Sequence, residues 1–224
     1  MKRVLIAIMV CLLLAGCAVN PAATADATST QPAITEPSTQ PPTTQPPDPL
    51  ELFIDQMTLE QMVGQMFLAR YPGAAAAVTG IEQYHLGGYL LFGKDFKEKT
   101  TASINAELDG LQKASALPLI IGTDEEGGDV ARVSAYPQFR SARFSSPRKL
   151  FSLGGLQLIF DTEKEKCQLL KSVGVNTNIA PVCDVTTQSS AFMYRRSLGQ
   201  DPQTTAQFAA GVVDVMEEIG RAHV

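Results

Sequence analysis

The stretch Leu117-Pro118-Leu119-Ile120-Ile121-Gly122-Thr123-Asp124-Glu125-Glu126-Gly127-Gly128-Asp129-Val130-Ala131-Arg132 decides the fold. It opens on a continuous apolar run closed by glycine. The run is too short for a helix and lacks the alternation of a half-exposed strand, so it reads as a strand buried on both faces. The chain then turns abruptly polar, with carboxylates, a Gly-Gly pair and an arginine gathered just past the strand's C-terminal end.

Upstream, Leu86 to Gly93 is a second buried strand bounded by glycines. Between the two, Glu98 to Ala114 has helical spacing that puts Ile104, Leu108 and Leu111 on one face. A helix is predicted around Ala74–Tyr84. Thr58-Leu59-Glu60-Gln61 has the spacing of a capping box, opening a helix with Leu59, Met62, Val63, Met66 and Phe67 on its apolar face. Met66 to Ala69 reads equally well as a short strand. Downstream come a Ser/Arg/Pro-rich loop from Ser134 to Pro147, a helix from Thr162 to Val173 and a third strand from Val175 to Ala180. Asp201-Pro202 supplies an N-cap and a proline at the first helical position for a helix running to Glu217.

Buried strands alternating with amphipathic helices specify a parallel α/β sheet. In such sheets functional residues sit past the C-terminal ends of the strands. Three polar stretches fall there: Asp124 to Arg132, Pro181-Val182-Cys183-Asp184, and Tyr194-Arg195-Arg196-Ser197-Leu198-Gly199-Gln200-Asp201-Pro202. Carboxylates beside forked guanidinium groups suit a ligand with several hydroxyls.

Composition excludes other classes. The 224 residues are 45% hydrophobic and 18% charged, with a net charge of −5 and no basic stripe, which argues against a nucleic-acid partner. No tryptophan and 7% aromatic residues leave little for stacking on single strands. His85 and His223 are the only histidines, so no His-rich metal site is expected, and no cofactor.

The N-terminus has a different character. Lys2-Arg3, an apolar run from Val4 to Leu14, then Ala15-Gly16-Cys17 form a secretory leader. The run falls short of the roughly 20 residues that span a bilayer. Leu14-Ala15-Gly16-Cys17 resembles the bacterial lipobox, which implies that residues 1–17 are a lipoprotein signal with Cys17 as the lipidated site. The predicted location is therefore extracytoplasmic, on the cell membrane through a lipid anchor. Residues 18–49 are rich in Thr, Pro, Ala, Gln and Ser, hold too little apolar surface to fold, and read as an extended stalk. Cys11 leaves with the leader. Cys167 and Cys183 lie in apolar company and read as small buried thiols.

The three polar stretches together resemble the catalytic barrel of glycoside hydrolase family 3, most closely its β-N-acetylhexosaminidase branch. Asp124, Glu126, Gly127, Gly128, Val130 and Arg132 meet one motif, and Ala180, Pro181, Val182 and Asp184 a second. Arg196, Ser197, Gly199, Asp201 and Pro202 meet a third, with Leu198 where the family has Phe. The match covers about Leu50 to Glu217. It implies a (β/α)₈ TIM barrel, of which residues 50–217 supply roughly the first half, and a reaction that cleaves terminal β-linked N-acetylhexosamine with retention. The expected partner is an N-acetylglucosamine-containing glycan of the peptidoglycan or chitin type.

The resemblance also implies site roles. Asp124 accepts hydrogen bonds from ring hydroxyls. Arg132 orients that carboxylate or touches the sugar. Arg196 binds ring hydroxyls, and Arg195 points outward. Asp184 either anchors Arg196, or a lysine the family places later, or closes a turn. Glu126 is buried and structural. The family's nucleophilic Asp and acid/base His fall later than residue 224, so no catalytic residue is assigned in this chain. Residues 218–224 depart from the family and back-translate to a common sequencing adapter, so they are expected to be read-through. A chain with three or four of eight strands is expected to be inactive and to aggregate alone. Two alternatives stay open: a β-glucosidase of the same family, and a non-catalytic sugar-binding lipoprotein.

Overall fold

The computed structural model describes residues 48–220 together with 222 and 223; the leader, Cys17 and most of the stalk lie outside the described residues. The elements run α1 (Pro49–Ile54), α2 (Leu59–Gln65), β1 (Leu68–Arg70), α3 (Ala74–Tyr84), β2 (Gly88–Leu91), α4 (Gly93–Phe96) and α5 (Thr101–Ala114). Then come β3 (Ile120–Thr123), α6 (Pro147–Ser172), β4 (Thr177–Asn178), α7 (Pro202–Glu218) and β5 (Ala222–His223). The five strands form one parallel sheet in the order β1-β2-β3-β4-β5. Each strand pairs with its successor in sequence: Leu68 faces Gly88, Gly88 faces Ile120, Gly122 faces Thr177, and Thr177 faces Ala222. A doubly wound sheet reverses its strand order at a switch point. Unbroken sequential order is that of a barrel wall.

Local chemistry places the helices. Thr58 caps α2 in a reciprocal box: its Oγ1 accepts from the Gln61 amide at 3.2 Å, and Gln61 Oε1 accepts from the Thr58 amide at 2.9 Å. Thr100 caps α5 with Ser103 as its partner. Asp201 caps α7, accepting from the Thr204 amide at 3.0 Å. The helices bury their apolar faces on the sheet: Ala77 and Ile81 of α3, and Ile104, Leu108 and Leu111 of α5, surround Tyr89, Leu91 and Ile121. A second cluster joins α6 to α7 through Ile159, Cys167, Leu198, Phe208, Val212 and Met216.

Several expectations are corrected. α6 starts at Pro147, fifteen residues before the predicted Thr162, because Ser146 caps it and Pro147 takes its first turn. Gly154 and Gly155 leave helical geometry inside it, which broke the spacing that would have revealed it. The third strand contracts to Thr177–Asn178. The segment left open between helix and strand divides, with α2 ending at Gln65 and β1 taking Leu68–Arg70. Cys183 is exposed and only Cys167 is buried. A short strand, β5, lies within residues 218–224 and pairs with β4. Among the described residues no helix is long and apolar enough to cross a membrane.

Candidate functional site

The site grows from the C-terminal ends of β3 and β4. Thr123 closes β3, its Oγ1 donating to the Leu91 carbonyl of β2 at 2.9 Å and locking those strand ends together. Asn178, at the end of β4, accepts from the Glu125 amide at 2.9 Å and donates to the Glu125 carbonyl at 3.3 Å. The loop after β3 therefore leaves the sheet in a fixed direction.

Glu125 then closes that loop on itself. Fully buried, its Oε2 accepts from the amides of Arg132 at 2.8 Å, Val133 at 2.7 Å and Ser134 at 3.3 Å, and its Oε1 from Ser134 Oγ at 2.5 Å. A buried carboxylate is tolerated only with this many donors. Between the two ends, the amides of Glu126 and Gly127 both donate to the Val130 carbonyl. Gly127 and Gly128 take φ of +94° and +67°, and a Cβ on Gly127 would stand 2.5 Å from the Ser145 carbonyl. Only glycine fits such a turn.

The folded loop returns Arg132 to Asp124. Arg132 Nε donates to Oδ1 at 2.6 Å and Nη2 to Oδ2 at 2.5 Å, a two-point pair that is partly exposed. That hydrogen bonding holds the Arg132 guanidinium above its ordinary pKa, outweighing its partial burial. The Phe92 ring, just past β2, lies 5.5 Å from the Arg132 guanidinium and 5.4 Å from that of Arg70.

A second pair forms from the loop after β4. Arg196 Nε donates to Glu126 Oε2 at 2.9 Å and Nη2 to Oε1 at 2.5 Å, with Glu126 buried and Arg196 partly exposed. The Glu126 hydrogen bonds raise the Arg196 pKa against desolvation, with smaller contributions from Asp124 and Asp184. Arg148 of α6 secures this loop. It donates to the carbonyls of Tyr194 and Thr186 and to Ser197 Oγ, and stacks 4.1 Å from the Tyr194 ring. Arg195 turns outward to an exposed pair with Asp129.

Three of the four predicted sugar-binding residues thus stand together. Asp124 and Arg132 are paired, and Arg196 is linked to their loop through Glu126. Asp184 is exposed and acts on Arg196 only through its field; the anchoring carboxylate of Arg196 is Glu126. Glu125, Arg148 and the buried pair Glu163–Lys166 escaped the sequence reading. Glu163 and Lys166 alone left a local trace, the i,i+3 spacing of opposite charges on a helix.

Both guanidinium groups keep N–H bonds free beyond their carboxylates, and each Asp124 oxygen keeps a lone pair. The arrangement can therefore accept from and donate to adjacent hydroxyls of one ring. Among the described residues no group of three His, Cys, Asp or Glu side chains could hold a metal ion.

Comparison with known proteins gives a consistent picture. The profile of the glycosyl hydrolase family 3 N terminal domain matches residues 58–224. The beta-hexosaminidase LpqI of Mycobacterium tuberculosis is 27% identical over 159 residues, covering 70% of this chain and 39% of the relative. A beta-hexosaminidase of Thiobacillus denitrificans is 29% identical over 146 residues, covering 61% and 38%. Among solved structures, a family 3 beta-N-acetylglucosaminidase from Paenibacillus sp. str. FPU-7 superposes with a TM-score of 0.67 at 25% identity, over 75% of this chain and 32% of that one. The chain spans about two fifths of the length of the curated relatives it matches. Its five-stranded arc is part of the barrel domain these structures share.

Proposed function

This chain belongs to glycosyl hydrolase family 3 through the N-terminal domain, and we propose that the complete protein is a retaining β-N-acetylhexosaminidase acting on N-acetylglucosamine-containing glycans. The observation that carries the reading is the joined pair of guanidinium–carboxylate contacts, Asp124–Arg132 and Glu126–Arg196, on the rim where β3 and β4 end. Relatives named beta-hexosaminidase support the choice of sugar.

In this reading Asp124 accepts from ring hydroxyls, Arg132 holds its carboxylate in place, and Arg196 donates from the opposite side. Asp184, exposed beside Arg196, adds an acceptor at the edge. Retention needs a nucleophile and an acid/base flanking the bond. We place both in later strands of the barrel, so this chain supplies the grip on the sugar and not the bond-breaking groups.

The direct test is hydrolysis of nitrophenyl N-acetyl-β-glucosaminide by the complete protein. Nitrophenol release, with little activity on the matching β-glucoside, is expected. Arg196→Ala should cost about 100-fold in kcat/KM, the loss of two charged hydrogen bonds. Activity confined to the glucoside would make the protein a β-glucosidase, and binding without turnover a sugar-binding lipoprotein.

We further propose that the protein is exported and held at the membrane by a lipid on Cys17. One matched relative, from Arthroderma benhamiae, is itself named a secreted glycosyl hydrolase. Fatty-acid labelling that survives Cys17→Ser would overturn the anchor.

A further inference from the structure

The inward stripe of α6 carries Ile159, Glu163, Lys166, Cys167 and Leu170, all buried. Two of these five are charged, in positions where an amphipathic helix on a sheet places apolar side chains. Their side chains are 4% and 6% exposed, and Lys166 Nζ donates to Glu163 Oε2 at 2.6 Å. Such a pair is a weak source of stability, since apolar residues of similar volume commonly do as well. Its presence calls for something an apolar pair could not supply.

The structure shows what that is. Lys166 Nζ also donates to the backbone carbonyl of Glu126, at 3.3 Å. Glu126 is the residue whose carboxylate holds Arg196, and its amide is already committed to the Val130 carbonyl. With Lys166 in place every polar group of Glu126 has a partner. The same ammonium lies 5.9 Å from the ring of Phe144, whose carbonyl accepts from the Gly128 amide, so the contact reaches both sides of the glycine turn. The enclosed space where Glu126, Glu163 and Lys166 meet Pro181 is about 10 Å³, room for one water at most.

We infer that Lys166, oriented by Glu163, is a positioning residue for the sugar site: it fixes Glu126 and thereby aims the Arg196 guanidinium. The inference rests on the proposed hydrolase reading. Lys166 touches no sugar. It acts through Glu126 on a contact made when substrate binds, so its loss appears mainly in KM.

The test uses the complete protein with nitrophenyl N-acetyl-β-glucosaminide. Lys166→Met keeps the stem and removes the donor. The expected result is a KM about tenfold higher, with kcat within about twofold. The double variant Glu163→Gln with Lys166→Met removes both charges. It should melt close to the wild type, because no unpaired charge stays buried, yet keep the raised KM, because Glu126 still lacks its donor. Wild-type KM in the stable double variant, or a loss of active protein with unchanged KM in either, reduces the pair to a structural role and overturns the inference. Should the single variant fail to fold, the double variant decides. A wild-type protein without hydrolase activity would instead sink the functional reading itself.

Discussion

The N-terminal run α1–α2–β1 is richer in apolar residues than the loops after β3 and β4, yet the loops bury more of theirs. Around the loops, Val133, Phe144, Ala180 and Leu198 are buried and the buried charges have partners, while Asp184, Val185 and Phe192 of the loop after β4 stay exposed. In the N-terminal run, Leu50, Phe53, Leu59, Val63, Met66 and Phe67 are exposed, Met66 to 82%. Among the described residues β1 is also an edge strand, paired only with β2. A contiguous apolar face beside an open strand edge is not a stable surface in water. The lesson is that amphipathic pattern specifies which face seeks cover, while the cover itself comes from another element. The loops have theirs in α6. The N-terminal run packs on α3 through α2 and on β2 through β1.

The largest expected effect tests that asymmetry directly. The chain on its own should self-associate through the α1–α2–β1 face and bind a hydrophobic dye. Size-exclusion chromatography with light scattering reads the outcome. A monodisperse species that melts in one cooperative transition would break the comparison, showing that the exposed face is tolerated.

Single substitutions sharpen it. In the complete protein, Glu125→Ala leaves three backbone amides and the Ser134 hydroxyl unsatisfied in a buried loop, so unfolding should become easier by about 3 kcal/mol. Met66→Ser in this chain should change monomer stability by about 0.5 kcal/mol or less, while reducing self-association. Denaturant midpoints compare the two. Equal effects would mean that the loops are no better ordered than the edge.

What the sequence revealed divides along a similar line. The capping box Thr58–Gln61, the helix Ala74–Tyr84 and the core face Ile104–Leu108–Leu111 were legible because each is a local pattern. Asp124 and Arg132 stood out as polar groups just past a buried run, and Arg196 as one of the charges in the loop after the next strand; the structure gives each a charged partner. The first turns of α6 were not legible, since Gly154–Gly155 interrupts its period and Ser/Arg-rich sequence precedes it. The partner of Arg196 was not either. Asp184 is nearer in sequence, and Glu126, 70 residues away, meets Arg196 only once β3 and β4 lie side by side. The exposure of Cys183 follows from its loop, not from the apolar residues flanking it.

The smallest expected effect lies where the N-terminal run meets α5. Tyr71, directly after β1, is buried and donates its hydroxyl to Glu107 Oε1 of α5, while Lys99 donates to Oε2. Burial alone would raise the Glu107 pKa, but the hydrogen bonds from Lys99 and Tyr71 prevail and bring it below its ordinary 4.5. Burial, then Glu107, push the Tyr71 phenol well above its ordinary 10.0. The two signs follow by linkage. The Glu107 contribution is complete above pH 4.5 and is lost as pH falls through the lowered folded value. The Tyr71 contribution is complete below pH 10 and is lost as pH rises beyond it. Urea midpoints of the complete protein between pH 3 and 6 should therefore decline more steeply for the wild type than for Glu107→Gln, which has no proton to gain. Parallel acid limbs would mean that this cluster does not fasten the exposed N-terminal run to the buried sheet, and that β1 is held by its pairing with β2 alone.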